Sequence, residues 1–200
     1  MTVQLDYPPG ATPLDADELA SLITSHLTTQ AELNEWEQLN IQQGEAWARK
    51  QRKEILSEAF IRQLHKQMFS ETWRWSGSFR QSDKNIGIDW PKISVELRKL
   101  LDDVHCQIEH ASYPLDEIAV RFHHRLVAIH PFPNGNGRHA RLIADLLAER
   151  LGQPRFTWGS RSLPANAGLI DASATRQAYI AALQAADARD YVPLLTFARS

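Results

Sequence analysis

The sequence lacks the features that mark several classes of protein. Cys106 is the only cysteine among 200 residues, which excludes an intrachain disulfide and a zinc site built from cysteines. The 22 basic and 24 acidic residues give a net charge of −2, so a bound polyanion must be held by a local cluster of charge. No stretch approaches the roughly 18 apolar residues of a membrane span, and the first residues lack the pattern of a secretory leader. We therefore expect a cytoplasmic protein with no membrane partner and no direct nucleic-acid partner.

Helical periodicity covers most of the chain. Residues 1–14 are rich in proline and predict an extended N-terminal arm, and residues 15–200 predict a single domain. Asp15 and Glu18 have the spacing of a capping box. They predict a helix that begins there and continues through Leu27 with one apolar face.

The central part of the chain combines long helices with one different segment. Residues 28–69 predict helix with Gly44 as an interruption. An apolar stripe at helical spacing predicts packing against the core: Phe60, Leu64 and Met68. In residues 73–94, glycine, asparagine and proline separate short runs, which predicts a β-hairpin or loop. The predicted fold class is mainly α with one β-hairpin.

The segment "HPFPNGNGRHAR", residues 130–141, joins two predicted helices and carries the main functional signal. Gly135 and Gly137 allow backbone conformations that other residues avoid, so successive N–H groups can converge on one point. That point lies at a helix N-terminus, where unpaired amides and the helix dipole favour an anion. The loop therefore predicts a phosphate-binding site.

Charged and titratable side chains flank this loop. Arg138 and Arg141 lie on the same face of the predicted helix, and arginine binds phosphate oxygens through two N–H groups. His130 lies at the other end, and it titrates near neutrality, so it can move a proton beside a bound phosphate. A plainer interpretation is also open, in which the arginines are solvated and His130 caps a helix C-terminus.

These residues closely resemble the signature of the Fic (filamentation induced by cAMP) domain family, H-x-F-x-[D/E]-G-N-G-R-x-x-R. The positions that match are His130, Phe132, Gly135, Asn136, Gly137, Arg138 and Arg141. The segment "SGSFRQSDKNIGI" is similar to the flap hairpin of the family, and the whole chain is similar to the short bacterial proteins called mobile mystery protein B. The resemblance implies a Fic-type helical bundle with a β-hairpin flap beside the active-site loop.

The resemblance also implies an activity, the transfer of a nucleoside monophosphate, usually AMP from ATP, to a Ser, Thr or Tyr hydroxyl of a target protein. His130 would be the general base, and Phe132 would anchor the loop in the core. The groups implied to bind the phosphates are Gly135, Asn136, Gly137, Arg138 and Arg141. The flap would hold the target by strand addition, through Lys84, Asn85, Ile86 and Gly87.

One position departs from the signature. Asn134 stands where the family usually has Asp or Glu as the ligand of Mg²⁺. An amide oxygen can coordinate Mg²⁺, but it lacks the charge of a carboxylate. We therefore expect weak metal binding at Asn134, a slower enzyme, or a different nucleotide or reaction.

A second motif resembles the inhibitory helix of the family, [S/T]-x-x-x-E-[G/N]. The segment "TTQAELN" has Thr28 and Glu32 in place and Leu33 where Gly or Asn is usual. The resemblance implies an inhibitory helix around residues 28–40, in which Glu32 pairs with Arg141 and takes the place of the γ-phosphate. Alternatively, Glu32 is an ordinary exposed helix residue.

Three functions stay open at this point. The first is a protein adenylyltransferase inhibited by its own N-terminal helix. The second is another reaction on the same scaffold: UMP or GMP transfer, phosphate transfer as in the Doc toxins, or removal of AMP. The third is a nucleotide-binding regulatory module with poor turnover, because Asn134 replaces the acid. The resemblance also implies self-modification and a small DNA-binding partner.

Overall fold

The structure, a computed structural model, describes residues 12–24, 27, 29–160 and 174–200. These parts of the chain contain eight α-helices, which confirms a mainly α fold. The helices are α1 (Ala16–Leu19), α2 (Gln30–Arg49), α3 (Glu58–Phe69), α4 (Ile93–Glu109), α5 (Leu115–Ile129), α6 (Asn136–Arg150), α7 (Ala174–Asp187) and α8 (Val192–Arg199). None of the helices described here is both long and apolar enough to cross a bilayer.

The core lies where α5 and α6 pack together and against their neighbours. Helix α4 packs on α5, α2 packs on α3, and α7 packs on α8. The predicted apolar stripe is confirmed, since the three side chains are buried in α3: Phe60, Leu64 and Met68. Phe132, between α5 and α6, is fully buried as expected, so the connecting loop is anchored in the core.

The first helix is shorter than predicted. The capping box is confirmed, because the Asp15 amide donates to a Glu18 carboxylate oxygen at 2.8 Å. The helix ends at Leu19, however, and Leu22 forms an isolated antiparallel bridge with Trp73. Backbone hydrogen bonds to the chain around Trp73 take the place of helical hydrogen bonds after Leu19. The prediction of a helix through Leu27 is therefore wrong.

Gly44 does not interrupt α2. A Cβ atom at this position would lie 2.8 Å from Cγ of Met68 in α3. The glycine therefore lets two helices approach closely, and this packing outweighs its low helix propensity.

The predicted β-hairpin flap is not formed in the structure. Residues 73–92 are described throughout, and they form turns, bends and a short 3-10 helix (Trp90–Lys92) without a strand ladder. The side chain of Arg80 is buried in this segment and donates to the backbone carbonyls of Ser82 and Ile88. A guanidinium inside the loop thus binds carbonyls that a hairpin would pair across two strands. We keep the name flap for residues 79–89.

Candidate active site

The loop between α5 and α6 is held in shape by its own side chains. Gly135 has φ +76°, and a Cβ atom there would lie 2.5 Å from the Phe69 ring, so only glycine fits. The Asn136 side chain accepts from the Phe132 amide at 2.9 Å and donates to the Phe132 carbonyl at 2.7 Å. Asn136 therefore fixes the loop with its side chain, and only its backbone can serve a ligand.

His65 binds and packs against the loop between α5 and α6, a role that the sequence did not predict. Its Nδ1 accepts from the Gly77 amide at 3.0 Å, so its Nε2 carries the proton and donates to the Asn134 carbonyl, also at 3.0 Å. The ring stacks on Phe132 with centroids 3.7 Å apart. Burial lowers the pKa of His65 well below its usual value, which keeps it neutral and able to accept from the amide.

Arg80 fixes the backbone of His130. Its Nε donates to the His130 carbonyl at 2.7 Å, and its amide donates to the Pro131 carbonyl at 3.0 Å. His130 itself has φ +53° at the end of α5, a left-handed conformation that costs energy for a residue with a side chain. The flap therefore holds the histidine in a conformation that the helix end alone would not favour.

The His130 ring is buried and faces a hydroxyl. Its Nε2 lies 3.1 Å from Oγ1 of Thr12, and the residue is 5% exposed. Burial, with a smaller contribution from the Arg80 charge, lowers the pKa of His130 to about 4, although the Val127 carbonyl opposes the shift. The imidazole is therefore neutral at pH 7, in the state that can accept a proton.

The other end of the loop opens into a cleft of about 1140 Å³. Arg138 and Arg141 both line it, together with residues of α2 and the segment 155–160. The Arg141 guanidinium lies over the Tyr179 ring, 5.3 Å from its centroid. A Cβ atom at Gly137 would lie 3.7 Å from Nη1 of Arg141 and 3.9 Å from the Tyr179 hydroxyl, so Gly137 lies beside both side chains. The predicted phosphate-binding arginines therefore share one cleft.

Arg138 is joined to a buried carboxylate. Its Nη1 lies 2.6 Å from Oε2 of Glu37, and Oε1 of Glu37 accepts from the Trp73 indole at 2.7 Å. Glu37 is 5% exposed, so its carboxylate is shielded from water, whereas the Arg138 side chain is 20% exposed. Nothing in the sequence distinguishes Glu37 from other helical glutamates, because a glutamate within a long helix is usually solvated.

Asn134 lies beside these groups. Its Oδ1 accepts from the Gly135 amide at 2.5 Å and lies 3.5 Å from Nη2 of Arg138. A cation at this oxygen would compete with the Gly135 amide for it and would be repelled by the positive charge of Arg138. No group of three or more acidic, histidine or cysteine side chains in the described parts of the chain could hold a metal ion. Weak metal binding at Asn134 stays a prediction.

Glu32 lies at the start of α2. Its carboxylate accepts from the Thr29 amide at 3.1 Å in a capping box, and the side chain is exposed. Glu32 contacts Thr29 and Arg141 lies over the Tyr179 ring, so the predicted pair between Glu32 and Arg141 is not among these contacts. Thr28 lies outside the described residues. The inhibitory role of Glu32 stays a prediction.

The flap residues differ in their surroundings. Lys84 is almost fully buried, because Asp15 at 2.8 Å and Glu18 at 2.6 Å cover its ammonium group. Gly87 packs against His130, since a Cβ atom at position 87 would lie 2.7 Å from Cβ of His130. The other two predicted target contacts lie on the exposed turn between them: Asn85 and Ile86.

The segment that carries this site is similar to proteins of one family. Residues 55–148 match the sequence model of the Fic/DOC family. The protein adenylyltransferase fic-1 of Caenorhabditis briggsae is 31% identical over 102 residues, which cover 51% of this chain and 17% of that protein. The protein adenylyltransferase Fic of Drosophila willistoni is 32% identical over 82 residues, or 39% of this chain and 16% of that protein. The chain thus spans about a sixth of the length of these relatives.

A solved structure shares the fold. The BepC protein of Bartonella tribocorum, a VirB-translocated effector with bound AMPPNP, has a TM-score of 0.67 and 17% identity. The alignment covers 92% of this chain and 97% of that one. The chain therefore shares the fold of this protein.

Proposed function

We propose that this chain, in which residues 55–148 match the sequence model of the Fic/DOC family, transfers AMP from ATP to a hydroxyl side chain of a target protein. One observation carries the proposal: a neutral, buried His130 faces a hydroxyl at one end of a loop whose other end carries two arginines in a cleft. The names of the relatives, which are protein adenylyltransferases, agree with it.

Each residue of the loop has a role in this proposal. His130 takes the proton from the hydroxyl as its oxygen attacks the α-phosphorus, and pyrophosphate leaves. Arg138, Arg141 and the amides at the start of α6 hold the phosphates and stabilise the charge that develops on them. Gly137 lies beside Arg141, where its backbone amide is one of these groups. The flap presents the target hydroxyl to His130.

ATP is the proposed substrate, which agrees with the AMPPNP bound in BepC. Mg²⁺ belongs to the proposal as an ion that arrives on the phosphates of ATP, with the Asn134 amide oxygen as the one ligand from the loop. When bound, Mg²⁺ neutralises phosphate charge. The contacts of Asn134 with Gly135 and Arg138 make this contribution weak.

Inhibition by the N-terminal helix is also part of the proposal. The carboxylate best placed for it is Glu37, because it already neutralises Arg138, whereas Glu32 caps the helix. A phosphate must compete with Glu37 for that guanidinium, so the ion pair opposes productive binding of ATP. The small DNA-binding partner that the resemblance implies stays a prediction.

Transfer of label from ATP to protein tests the activity. The full chain, with Mg²⁺ and a bacterial lysate, is incubated with ATP labelled on the α- or the γ-phosphate, and His130→Ala is the control. We expect label on protein from α-labelled ATP only, and none with the control. Label from γ-labelled ATP only would identify a Doc-like kinase instead. No label from either, with ATP still bound, would favour the regulatory module.

A further inference from the structure

We infer that the segment 12–19, the docked segment, occupies the place of the target and that Thr12 accepts AMP within the same chain. The inference rests on the proposed function and names a substrate for it. It begins from a contact between residues that are 118 positions apart, the Thr12 hydroxyl and the His130 ring.

The contact has the arrangement that an acceptor hydroxyl requires. Oγ1 of Thr12 lies 3.1 Å from Nε2 of His130, within the distance at which a general base takes a proton. Both residues are buried, at 8% and 5% exposure. A hydroxyl from another molecule would have to take the position that Thr12 now holds.

Ion pairs hold the docked segment on the flap. Lys84 lies between Asp15 and Glu18, and its side chain is 3% exposed. The Ser82 hydroxyl donates to Asp15 at 2.6 Å, and these contacts with Lys84 and Ser82 lower the pKa of Asp15. The Trp75 indole donates to the Glu18 carbonyl at 3.1 Å. The segment therefore binds the same flap that would receive a target.

The chemical step is balanced with ATP as the second substrate. Oγ1 of Thr12 attacks the α-phosphorus, the bond from that phosphorus to the oxygen of the leaving pyrophosphate breaks, and the hydroxyl proton passes to Nε2 of His130. The product carries AMP on Thr12 through a phosphodiester. The transfer adds a bulky, charged group to a side chain that is 8% exposed, so we expect the modified segment to leave after the reaction and open His130 to another hydroxyl.

Peptide mass spectrometry of the full chain after incubation with ATP and Mg²⁺ tests the acceptor. We expect AMP on the peptide that contains Thr12, and its retention in Thr12→Ser. Thr12→Val should lower self-modification by about tenfold or more, since the positioned hydroxyl is gone. Ser21→Ala removes a nearby hydroxyl that bonds to Glu18 and not to His130, and it should leave the modification of Thr12 in place.

A lysate in the same reaction separates this inference from the proposed function. If lysate proteins are labelled while Thr12 stays unmodified, the inference is overturned and the activity stands. If nothing is labelled by any variant, both are overturned. We expect label on Thr12, and faster labelling of lysate proteins by Thr12→Val because its segment competes less well for His130.

A measurement that needs no transfer tests the docking itself. The double variant Asp15→Asn, Glu18→Gln weakens the ion pairs with Lys84 and should release the segment. Titration of His130 by NMR should then show its pKa rising from about 4 toward 6.5, the usual value, because water reaches the ring. An unchanged pKa would show that the segment does not cover His130, and would overturn the inference.

Discussion

The buried carboxylate of Glu37 forms an ion pair with Arg138, with Oε2 of the glutamate 2.6 Å from Nη1 of the arginine. Arg138 belongs to the loop that is proposed to bind ATP, and Glu37 belongs to α2. The pair therefore couples the helix that was predicted to inhibit the site with the guanidinium that a phosphate would need. It does so at a different pair of residues from the predicted Glu32 and Arg141.

Glu37→Gln should free Arg138 while keeping an acceptor for the Trp73 indole. We expect tighter binding of ATP and faster transfer, by about tenfold, because a charged competitor is removed. Stability should fall, because the arginine loses its buried partner. Isothermal titration with ATP measures the binding. Glu32→Gln is the matched control and should change little. Activation by Glu32→Gln but not Glu37→Gln would return the inhibitory role to Glu32.

Arg80→Lys should disturb the position of His130 without changing the groups that are proposed to bind the phosphates. The lysine keeps the charge but cannot reach the carbonyls of Ser82, Ile88 and His130 together. We expect a loss of about 2–4 kcal/mol in the free energy of unfolding and a lower kcat with little change in the KM for ATP. The exposed Arg74→Lys is the control. A normal kcat in a folded Arg80→Lys variant would contradict this positioning role.

Asn134→Asp should strengthen the use of Mg²⁺. A carboxylate binds the ion with charge that the amide lacks, so the Mg²⁺ concentration for half-maximal transfer should fall by about tenfold. Asn134→Ala removes the amide oxygen and should raise the Mg²⁺ concentration for half-maximal transfer. Titration of the initial rate with Mg²⁺ measures both. An unchanged requirement in both variants would show that position 134 does not contact the ion.

Acid should destabilise the protein below pH 6.5. Burial lowers the pKa of His130 and His139 to about 4 and that of His123 to about 3. The unfolded chain therefore binds more protons in this range, and at pH 5 each imidazole costs on the order of 2 kcal/mol. Burial raises the pKa of Asp145 to about 6, which opposes this effect between pH 6 and 3.8. We expect Tm to fall from pH 7 to pH 5, more steeply in Asp145→Asn. A constant Tm would contradict these shifts.

The helices and the loop could be predicted because their signals are local. The stripe from Phe60 to Met68 needs only helical spacing, and Gly135 needs only the motif around it. Arg80, Glu37 and Thr12 could not be found in this way. A charged or hydroxyl side chain in a loop or helix usually faces water, and only contacts with distant parts of the chain bury these three. The prediction of a hairpin is wrong for the same reason, because Arg80 binds backbone carbonyls that the hydrogen bonds between two strands would use.

The central claim is that His130 directs a hydroxyl to the α-phosphorus of ATP. The most direct measurement follows the phosphorus products by ³¹P NMR while covalent nucleotide on protein is quantified in the same reaction. We predict that pyrophosphate forms in step with attached AMP, and that His130→Ala stops both. ADP in place of pyrophosphate, or pyrophosphate formed equally by His130→Ala, would contradict the account.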